Sequence, residues 1–168
     1  MSTYLNKEEL NKLILSTKNI KEAVILRLLV ETGISRFELT NLRIKDIDFE
    51  KKEIFIKKSK NLERKVPASD SLLQTIKFYI GTRKTGNLIK SNKSEKISLS
   101  QINRVVKNAS KRAGLKTSPR IVRHSFAINK LAEGTSFQQL QKQLGHHELR
   151  STINTYKNDY EKLVNNPS

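Results

Sequence analysis

The chain has no cysteine and no tryptophan, and only three of its 168 residues are proline. Without cysteine there is no disulfide framework, no zinc ribbon and no thiolate nucleophile. No segment approaches the roughly 18 consecutive apolar residues of a membrane span, and the N-terminal MSTYLNK has no apolar signal core. We therefore expect a cytoplasmic protein with no membrane partner.

Acidic residues are also scarce. The chain has 16 Asp and Glu against 33 Lys and Arg, which gives a formal net charge of +17 at pH 7. Hydrophobic residues make up 36% of the chain, enough to build the core of one ordinary domain. A folded domain with so large an excess of one charge predicts a polyanionic partner.

The positive charge is concentrated in residues 83–123. This stretch holds 12 basic residues and one acid, Glu95, so 12 − 1 = 11 net positive charges lie in 41 residues. Its basic residues Arg104, Lys107 and Lys111 share one helical face, and the opposite face is small and aliphatic, as in a helix packed on a core rather than on a membrane. The stretch is predicted to contact phosphates, and the alternative is a merely solvated basic surface.

Helix signals and the absence of repeats or linkers indicate a single domain over residues 1–168. A helix is expected over 20–32, another over 35–42, and the C-terminal half reads as helical throughout. Two strands, 53–57 and 64–67, are predicted to flank a polar turn. The expected fold is α+β, mainly α-helical with a small antiparallel sheet. The residues predicted to cap helices are Asn6, Asp70, Ser98 and Ser118 at their starts and Gly33, Gly114 and Gly134 at their ends.

Four motifs follow one another along the chain. They are TGISRFEL at 32–39, RKVP at 64–67, SPRIVRHSFA at 118–127, and LGH at 144–146 with Tyr156 ten residues after its histidine. Together they resemble the tyrosine recombinase (phage integrase) family, over about residues 5–160, which corresponds to the catalytic domain of that family. The resemblance implies the family's DNA breaking-rejoining fold and a site-specific recombinase that needs no cofactor and no metal. The implied partners are double-stranded DNA and further copies of the chain, four protomers on two duplexes.

The chemistry of such an enzyme explains the residue types. Transesterification at a phosphodiester requires a nucleophile, cations that neutralise the growing charge, and a proton for the leaving 5′ oxygen. The resemblance implies that Tyr156 attacks to form a 3′-phosphotyrosyl intermediate and that a hairpin lysine is the acid. The implied catalytic residues are Tyr156, Arg123, Arg36, Arg120, His146 and Lys60. The residues expected to bind DNA around them are Lys58, Arg64, Arg104, Lys107, Lys111 and Arg112.

The sequence departs from the family pattern in the phosphate clamp. Ser35 stands where the family has the arginine of Thr-Gly-x-Arg, and Arg36 follows one place later. Arg120 stands where the family commonly has histidine, so it keeps a phosphate donor but loses a group able to accept the tyrosine proton. We expect Arg36 to replace the displaced arginine and Glu38 to orient it.

Two further departures concern the acid and the histidine. The family's lysine position falls on Ser59, between Lys58 and Lys60, so either lysine is a candidate acid. His146 has the Leu-Gly-His context but lies one residue further from Tyr156 than is typical, whereas the adjacent His147 has the usual spacing. His124 is expected to make a structural hydrogen bond.

Other interpretations remain for the function. The departures are also compatible with a catalytically impaired DNA-binding module of the same fold. Acidic residues at 46–53 imitate a metal-nuclease cluster, but their alternation with apolar residues favours the solvent face of an extended segment. Adjacent histidines at 146 and 147 do not share a helical face, which disfavours a metal pair. Since few residues precede the first predicted helix, we expect the separate N-terminal DNA-clamping domain of the family to be absent.

Overall fold

The structure is a computed structural model that describes residues 4–59, 62–146 and 148–165. Lys60 and His147 therefore lie outside the described residues. The helices are α1 (Lys7–Leu15), α2 (Ile20–Thr32), α3 (Arg36–Asn41), α4 (Asp70–Ile80), α5 (Leu99–Arg112), α6 (Pro119–Ala132), α7 (Phe137–Leu144) and α8 (Leu149–Asn165). The strands are β1 (Ile47–Asp48), β2 (Glu53–Ser59) and β3 (Leu62–Pro67).

The three strands form one antiparallel sheet in the order β1-β2-β3. Ile47 pairs with Ile54, and Ile54 pairs with Val66, so buried aliphatic residues from all three strands face the helices together. This confirms the predicted mainly helical fold with a small antiparallel sheet. The segment that the sequence predicted as merely extended adds the two-residue edge strand β1.

Local hydrogen bonds explain where the helices begin. Asn6 and Ser98 each form a capping box, and the Ser118 side chain accepts from the Ile121 amide ahead of Pro119. The predicted start of α4 is wrong by one residue. Ser69 is the cap, because its hydroxyl accepts from the Leu72 amide, and Asp70 is the first helical residue.

The core consists of two clusters of buried side chains. The larger one joins α1, α2, α4 and α5 to the sheet, and the smaller one joins α6, α7 and α8 around Phe126, Leu140 and Leu144. Tyr160 and Leu163 of α8 pack against the smaller cluster, so α8 is docked on the helices of its own chain. Nothing among the described helices combines the length and the apolar character that crossing a bilayer requires.

Gly33 connects the two clusters. It ends α2 with φ +68°, and a Cβ built on it would lie 2.5 Å from a ring carbon of Phe126. Any other residue would be strained by this backbone conformation and would also clash with the aromatic ring. The tight approach places the α2–α3 turn directly against α6, which carries Arg123.

Candidate active site

Tyr156 is the most enclosed of the candidate catalytic residues. Only 3% of its surface is exposed, and it lies between two imidazoles. The His124 ring centroid is 5.0 Å away and tilted, and the His146 ring is 6.1 Å away and parallel. Burial raises the pKa of Tyr156, and the charge and hydrogen bond of Arg123 only partly oppose that rise. The phenol is therefore neutral near pH 7 and must lose its proton before or during an attack on phosphorus.

Arg123 is held rigidly beside Tyr156. One guanidinium nitrogen donates to the Gly33 carbonyl, and the other terminal nitrogen donates to the Leu144 carbonyl over 2.9 Å. A carboxylate oxygen of Glu38 lies 3.6 Å from the first nitrogen. Because α6, the α2–α3 turn and the end of α7 all fix this side chain, its charge is preorganised.

Arg64 lies inside the site rather than on the expected DNA-binding surface. Its two terminal nitrogens donate to the two carboxylate oxygens of Glu38, and its Nε donates to the Gln143 carbonyl over 2.6 Å. The reason is strand alternation, since Arg64 is on the same face of β3 as buried Val66, whereas Glu63 is exposed. A buried guanidinium requires a partner, and Glu38 from α3 supplies it.

Glu38 therefore holds two arginines. It accepts from Arg64 and lies near Arg123, and it also closes the start of α3 by accepting from the Ser35 amide over 3.0 Å. Burial by itself would raise the pKa of Glu38. The hydrogen bonds and charge of Arg64, with Ser35 and Arg123, outweigh burial and hold that pKa below its ordinary value. Among the described residues, Glu38 thus orients Arg64 and Arg123 rather than Arg36, which donates to Asn103 instead.

This depressed pKa predicts a pH-dependent stability. Ionised Glu38 stabilises the fold fully above the pKa of an unfolded glutamate, about 4.3, and that contribution is lost as the pH falls toward the lower folded value. The difference in free energy of unfolding between wild type and Glu38→Gln should shrink between about pH 5 and pH 3 in urea titrations. Exposed Glu63→Gln is the control. A difference that stays constant with pH would contradict this interpretation.

Each residue of the Leu-Gly-His motif has a structural role at the site. The Leu144 carbonyl accepts from Arg123, and Gly145 has φ +70° with the Arg64 side chain directly against it. A Cβ at Gly145 would lie 2.7 Å from Nη1 of Arg64. His146 Nδ1 is 2.8 Å from the hydroxyl of Thr152, which fixes the imidazole beside Tyr156. The motif therefore supplies the carbonyl that holds Arg123, a glycine that leaves room for Arg64, and the imidazole beside Tyr156.

His124 connects the helix of Arg123 to the helix of Tyr156. Its Nε2 is 2.7 Å from a carboxylate oxygen of Asp159 on α8. This is a structural contact of the kind expected for His124. Asp159 is a residue that the sequence analysis missed, and its position one turn after Tyr156 on the same helix is the signal that could have indicated it.

Arg36 and Arg120 form no hydrogen bond or ion pair with Tyr156, Arg123 or Glu38 within the described residues, although Arg120 lies one helical turn before Arg123 on α6. Ser35 caps α3 by accepting from the Glu38 amide, so Arg36 becomes the first helical residue and donates to Asn103 Oδ1 on α5 over 2.9 Å. Arg36 and Arg120 line one cavity of about 600 Å³ between α3, α5 and the start of α6. We call it the basic cavity, and its cationic lining residues are Arg36, Lys107, Lys111, Lys116 and Arg120.

The remaining predicted DNA-binding residues divide into two groups. Arg104, Lys107 and Lys111 are exposed along α5, as their shared face predicted. Arg112 is engaged within the fold, because it donates to Glu22 over 2.6 Å and to the Ser16 carbonyl over 2.7 Å. The side chain of Lys58, like all of Lys60, lies outside what the structure describes.

The acidic segment at 46–53 forms local turns. Asp46 accepts from the Arg43 amide, and Asp48 accepts from the amides of Glu50 and Lys51. Across residues 4–59, 62–146 and 148–165 there is no group of three histidine or acidic side chains arranged to hold a metal ion.

Comparison with known proteins places this arrangement in a family. Residues 3–162 match the model of the phage integrase family. Tyrosine recombinase XerA of Pyrococcus horikoshii is 33% identical over 154 residues, which cover 88% of this chain and 54% of the relative. Tyrosine recombinase XerC of Oceanobacillus iheyensis is 32% identical over 168 residues, with 89% of this chain and 54% of the relative covered. The chain thus spans about half the length of the curated relatives it matches.

Solved structures agree on the fold. A crystal structure of XerA recombinase superimposes with a TM-score of 0.84 at 24% identity, and the match covers 100% of this chain and 66% of that one. A structure of XerH site-specific recombinase bound to its difH substrate gives 0.80 at 23% identity, with 97% and 54% covered. With a family model that spans nearly the whole sequence, four motifs in the family's order and the matching fold, the chain belongs to the phage integrase family of tyrosine recombinases.

Proposed function

We propose that this chain is the catalytic part of a site-specific DNA recombinase that cleaves and rejoins double-stranded DNA through a 3′-phosphotyrosyl intermediate on Tyr156. Membership of the family supports site-specific DNA recombination. The observation that carries the finer proposal is the burial of Tyr156 between His124 and His146, with the guanidinium of Arg123 fixed on the Gly33 and Leu144 carbonyls at the same site. A buried tyrosine beside a preorganised cation is suited to nucleophilic attack on a phosphodiester.

In the proposed step, the phenolic oxygen of Tyr156 attacks phosphorus as the bond from phosphorus to the 5′ oxygen breaks. The proton of the Tyr156 hydroxyl passes to solvent, and the leaving 5′ oxygen takes a proton from the hairpin lysine. One phosphodiester replaces another, so the reverse attack by a 5′ hydroxyl rejoins the strand without an external energy source. Arg123 stabilises the charge that develops on the non-bridging oxygens, and His146 adds a hydrogen bond.

A lysine of the β2–β3 hairpin is the proposed acid. Lys58 and Lys60 flank the family position, and a lysine ammonium can protonate the leaving oxygen. Support for its location comes from Arg64, which joins β3 to Glu38 and the end of α7 by three side-chain hydrogen bonds. The base of the hairpin is thereby anchored next to Tyr156 and Arg123.

The proposed partner is duplex DNA held by several protomers. The net charge of +17 and the exposed cations along α5 favour a polyanion. The relative XerH has a structure bound to its difH substrate, and lambda integrase has one as a dimer bound to a core site. A tetramer on two duplexes is the arrangement that the family resemblance implies for this chain.

The experiment is covalent trapping on a pool of nicked duplexes with randomised sequence around the nick. After incubation in EDTA, we expect a protein–DNA adduct on a denaturing gel, with peptide mapping to Tyr156 and sequencing of the captured DNA. Metal is not expected to matter because Arg123 supplies the charge that a cation would otherwise supply. Cleavage that appears only with magnesium would indicate a metal-dependent nuclease, and DNA binding without any adduct would indicate an impaired binding module.

A further inference from the structure

A hydrogen bond between His124 and Asp159 joins the helix that carries Arg123 to the helix that carries Tyr156. Nε2 of His124, on α6, is 2.7 Å from a carboxylate oxygen of Asp159, on α8. A carboxylate only accepts hydrogen bonds, so Nε2 is the donor. The two side chains are 20% and 21% exposed, and this partial shielding from water strengthens the hydrogen bond.

The spacing of residues on the two helices relates this hydrogen bond to Tyr156. On α6, His124 follows Arg123 directly, and consecutive helical residues point about 100° apart. Arg123 therefore faces the α2–α3 turn while His124 faces α8. On α8, Asp159 is three residues after Tyr156, which places both on one face of the helix. His124 thus contacts the ring of Tyr156, with 5.0 Å between centroids, and bonds to a residue one turn further along.

The other contacts of α8 fix its position less specifically. Two of its side chains pack against the smaller apolar cluster, but apolar packing is not directional, and packed helices can shift by about 1 to 2 Å against each other. The hydroxyl of Thr152 bonds to His146, which is only six residues away, so that bond fixes the start of α8 against the turn before it. The bond from His124 to Asp159 spans 35 residues and joins α8 to α6 directly.

We propose that His124 and Asp159 are positioning residues that hold Tyr156 at the distance and angle from Arg123 that the attack on phosphorus requires. The inference rests on the proposed role of Tyr156 as the nucleophile. Reaction rates depend steeply on such placement, since a displacement of about 1 Å can lower a rate about a hundredfold. A contact that only stabilised the fold would leave the position of Tyr156 unchanged when it is removed from a chain that still folds.

The first test compares the rate of adduct formation with DNA affinity. For Asp159→Ala, the single-turnover rate at saturating duplex should fall at least about tenfold. Glu161→Ala is the charge-matched control, because Glu161 is an acidic residue of α8 that pairs with Lys157 of the same helix. It should keep the wild-type rate, and both variants should change the Kd measured by fluorescence anisotropy equally. Equal rates in the two variants would overturn the proposal.

Conservative variants separate the hydrogen bond from the charge and from the ring. Asp159→Asn keeps an oxygen that accepts from His124, and His124→Gln keeps an N–H that donates to Asp159, so both should retain most of the rate. His124→Phe keeps a ring beside Tyr156 but cannot donate, and it should lose as much as Asp159→Ala. If Asp159→Asn is as slow as Asp159→Ala, the charge of Asp159 matters rather than the hydrogen bond, and the proposal is wrong.

A double-mutant cycle tests whether the two residues act as a pair. In His124→Phe/Asp159→Ala, the rate should be no lower than in the slower single variant, because each substitution alone already removes the hydrogen bond. Urea unfolding verifies that each variant is folded, and His124→Phe replaces Asp159→Ala in every comparison if the latter does not fold. Losses of rate that multiply in the double variant would show independent roles and contradict the proposal.

A last measurement requires no cleavage. In the full chain without DNA, the ring signals of ¹³C-labelled tyrosine are recorded by NMR, and Tyr156→Phe identifies those of Tyr156. Asp159→Ala should shift or broaden these signals, whereas Asp159→Asn and Glu161→Ala should leave them in place. Unchanged signals in Asp159→Ala would refute a positioning role. If the wild type forms no adduct on any duplex, the proposed function fails, yet the Tyr156 signals still show whether the hydrogen bond positions the ring.

Discussion

Replacing Tyr156 with phenylalanine is expected to abolish the covalent protein–DNA adduct completely. The phenolic oxygen is the atom proposed to attack phosphorus, and phenylalanine keeps a ring between His124 and His146 but has no oxygen to form the ester. DNA affinity should change little, because one hydroxyl adds little to a broad basic interface. The yield of adduct is measured on the pool of nicked duplexes, and non-covalent DNA binding is measured by fluorescence anisotropy.

Tyr160→Phe is the matched control for this substitution. Tyr160 lies one turn later on α8, and its ring packs edge-on against Phe137 at 5.9 Å. Its variant should retain the adduct. The stability of Tyr156→Phe should be within about 1 kcal/mol of wild type, since only one hydroxyl is removed and the ring keeps its place between His124 and His146. If Tyr156→Phe still forms an adduct that maps to Tyr160, the nucleophile is wrongly assigned.

Local chemistry explains why the elements could be predicted from the sequence. The caps at Asn6, Ser98 and Ser118 depend on hydrogen bonds that span three residues, and Gly33 depends on the sign of one backbone angle. Such signals are complete within a short stretch of sequence. The caps predicted at Asp70, Gly114 and Gly134 each lie one residue after the observed caps Ser69, Ala113 and Glu133, which shows the limit of these signals.

The contacts of the arginine side chains could not be predicted from the sequence in the same way. Arg64 is 26 residues from Glu38 and 79 from Gln143, and Arg36 is 67 residues from Asn103. The order of the motifs indicates that these side chains lie near one another. Which arginine is buried depends on how the elements pack, and that cannot be determined from the motifs. Strand alternation buries Arg64, and the cap at Ser35 starts α3 so that Arg36 faces α5. Arg64 and Arg123 therefore share Glu38, whereas Arg36 lies on the basic cavity against Asn103.

Arg123→Ala is expected to lower the rate of adduct formation at least about a hundredfold, the size of effect seen when one preorganised charge donor is removed. Arg123→Lys should restore little of the rate. A planar guanidinium can donate to the Gly33 and Leu144 carbonyls and still face a phosphate, whereas a compact ammonium cannot make all three contacts. The measurement is the single-turnover rate at saturating DNA. A lysine variant with the wild-type rate would mean that charge neutralisation comes from another residue.

The free energy of unfolding distinguishes the role of Arg123 from the structural role of Arg64. In Arg123→Ala, Glu38 keeps both hydrogen bonds from Arg64, so the free energy of unfolding should fall by only about 1 to 3 kcal/mol. In Arg64→Met, Glu38 loses its bidentate partner in a buried position, and a loss of about 3 to 5 kcal/mol is expected. Urea unfolding of both variants tests whether Arg64→Met loses more free energy of unfolding than Arg123→Ala. Equal losses would imply that the two arginines share one structural role, and the fall in rate for Arg123→Ala would then reflect a distorted site rather than a missing charge at the phosphate.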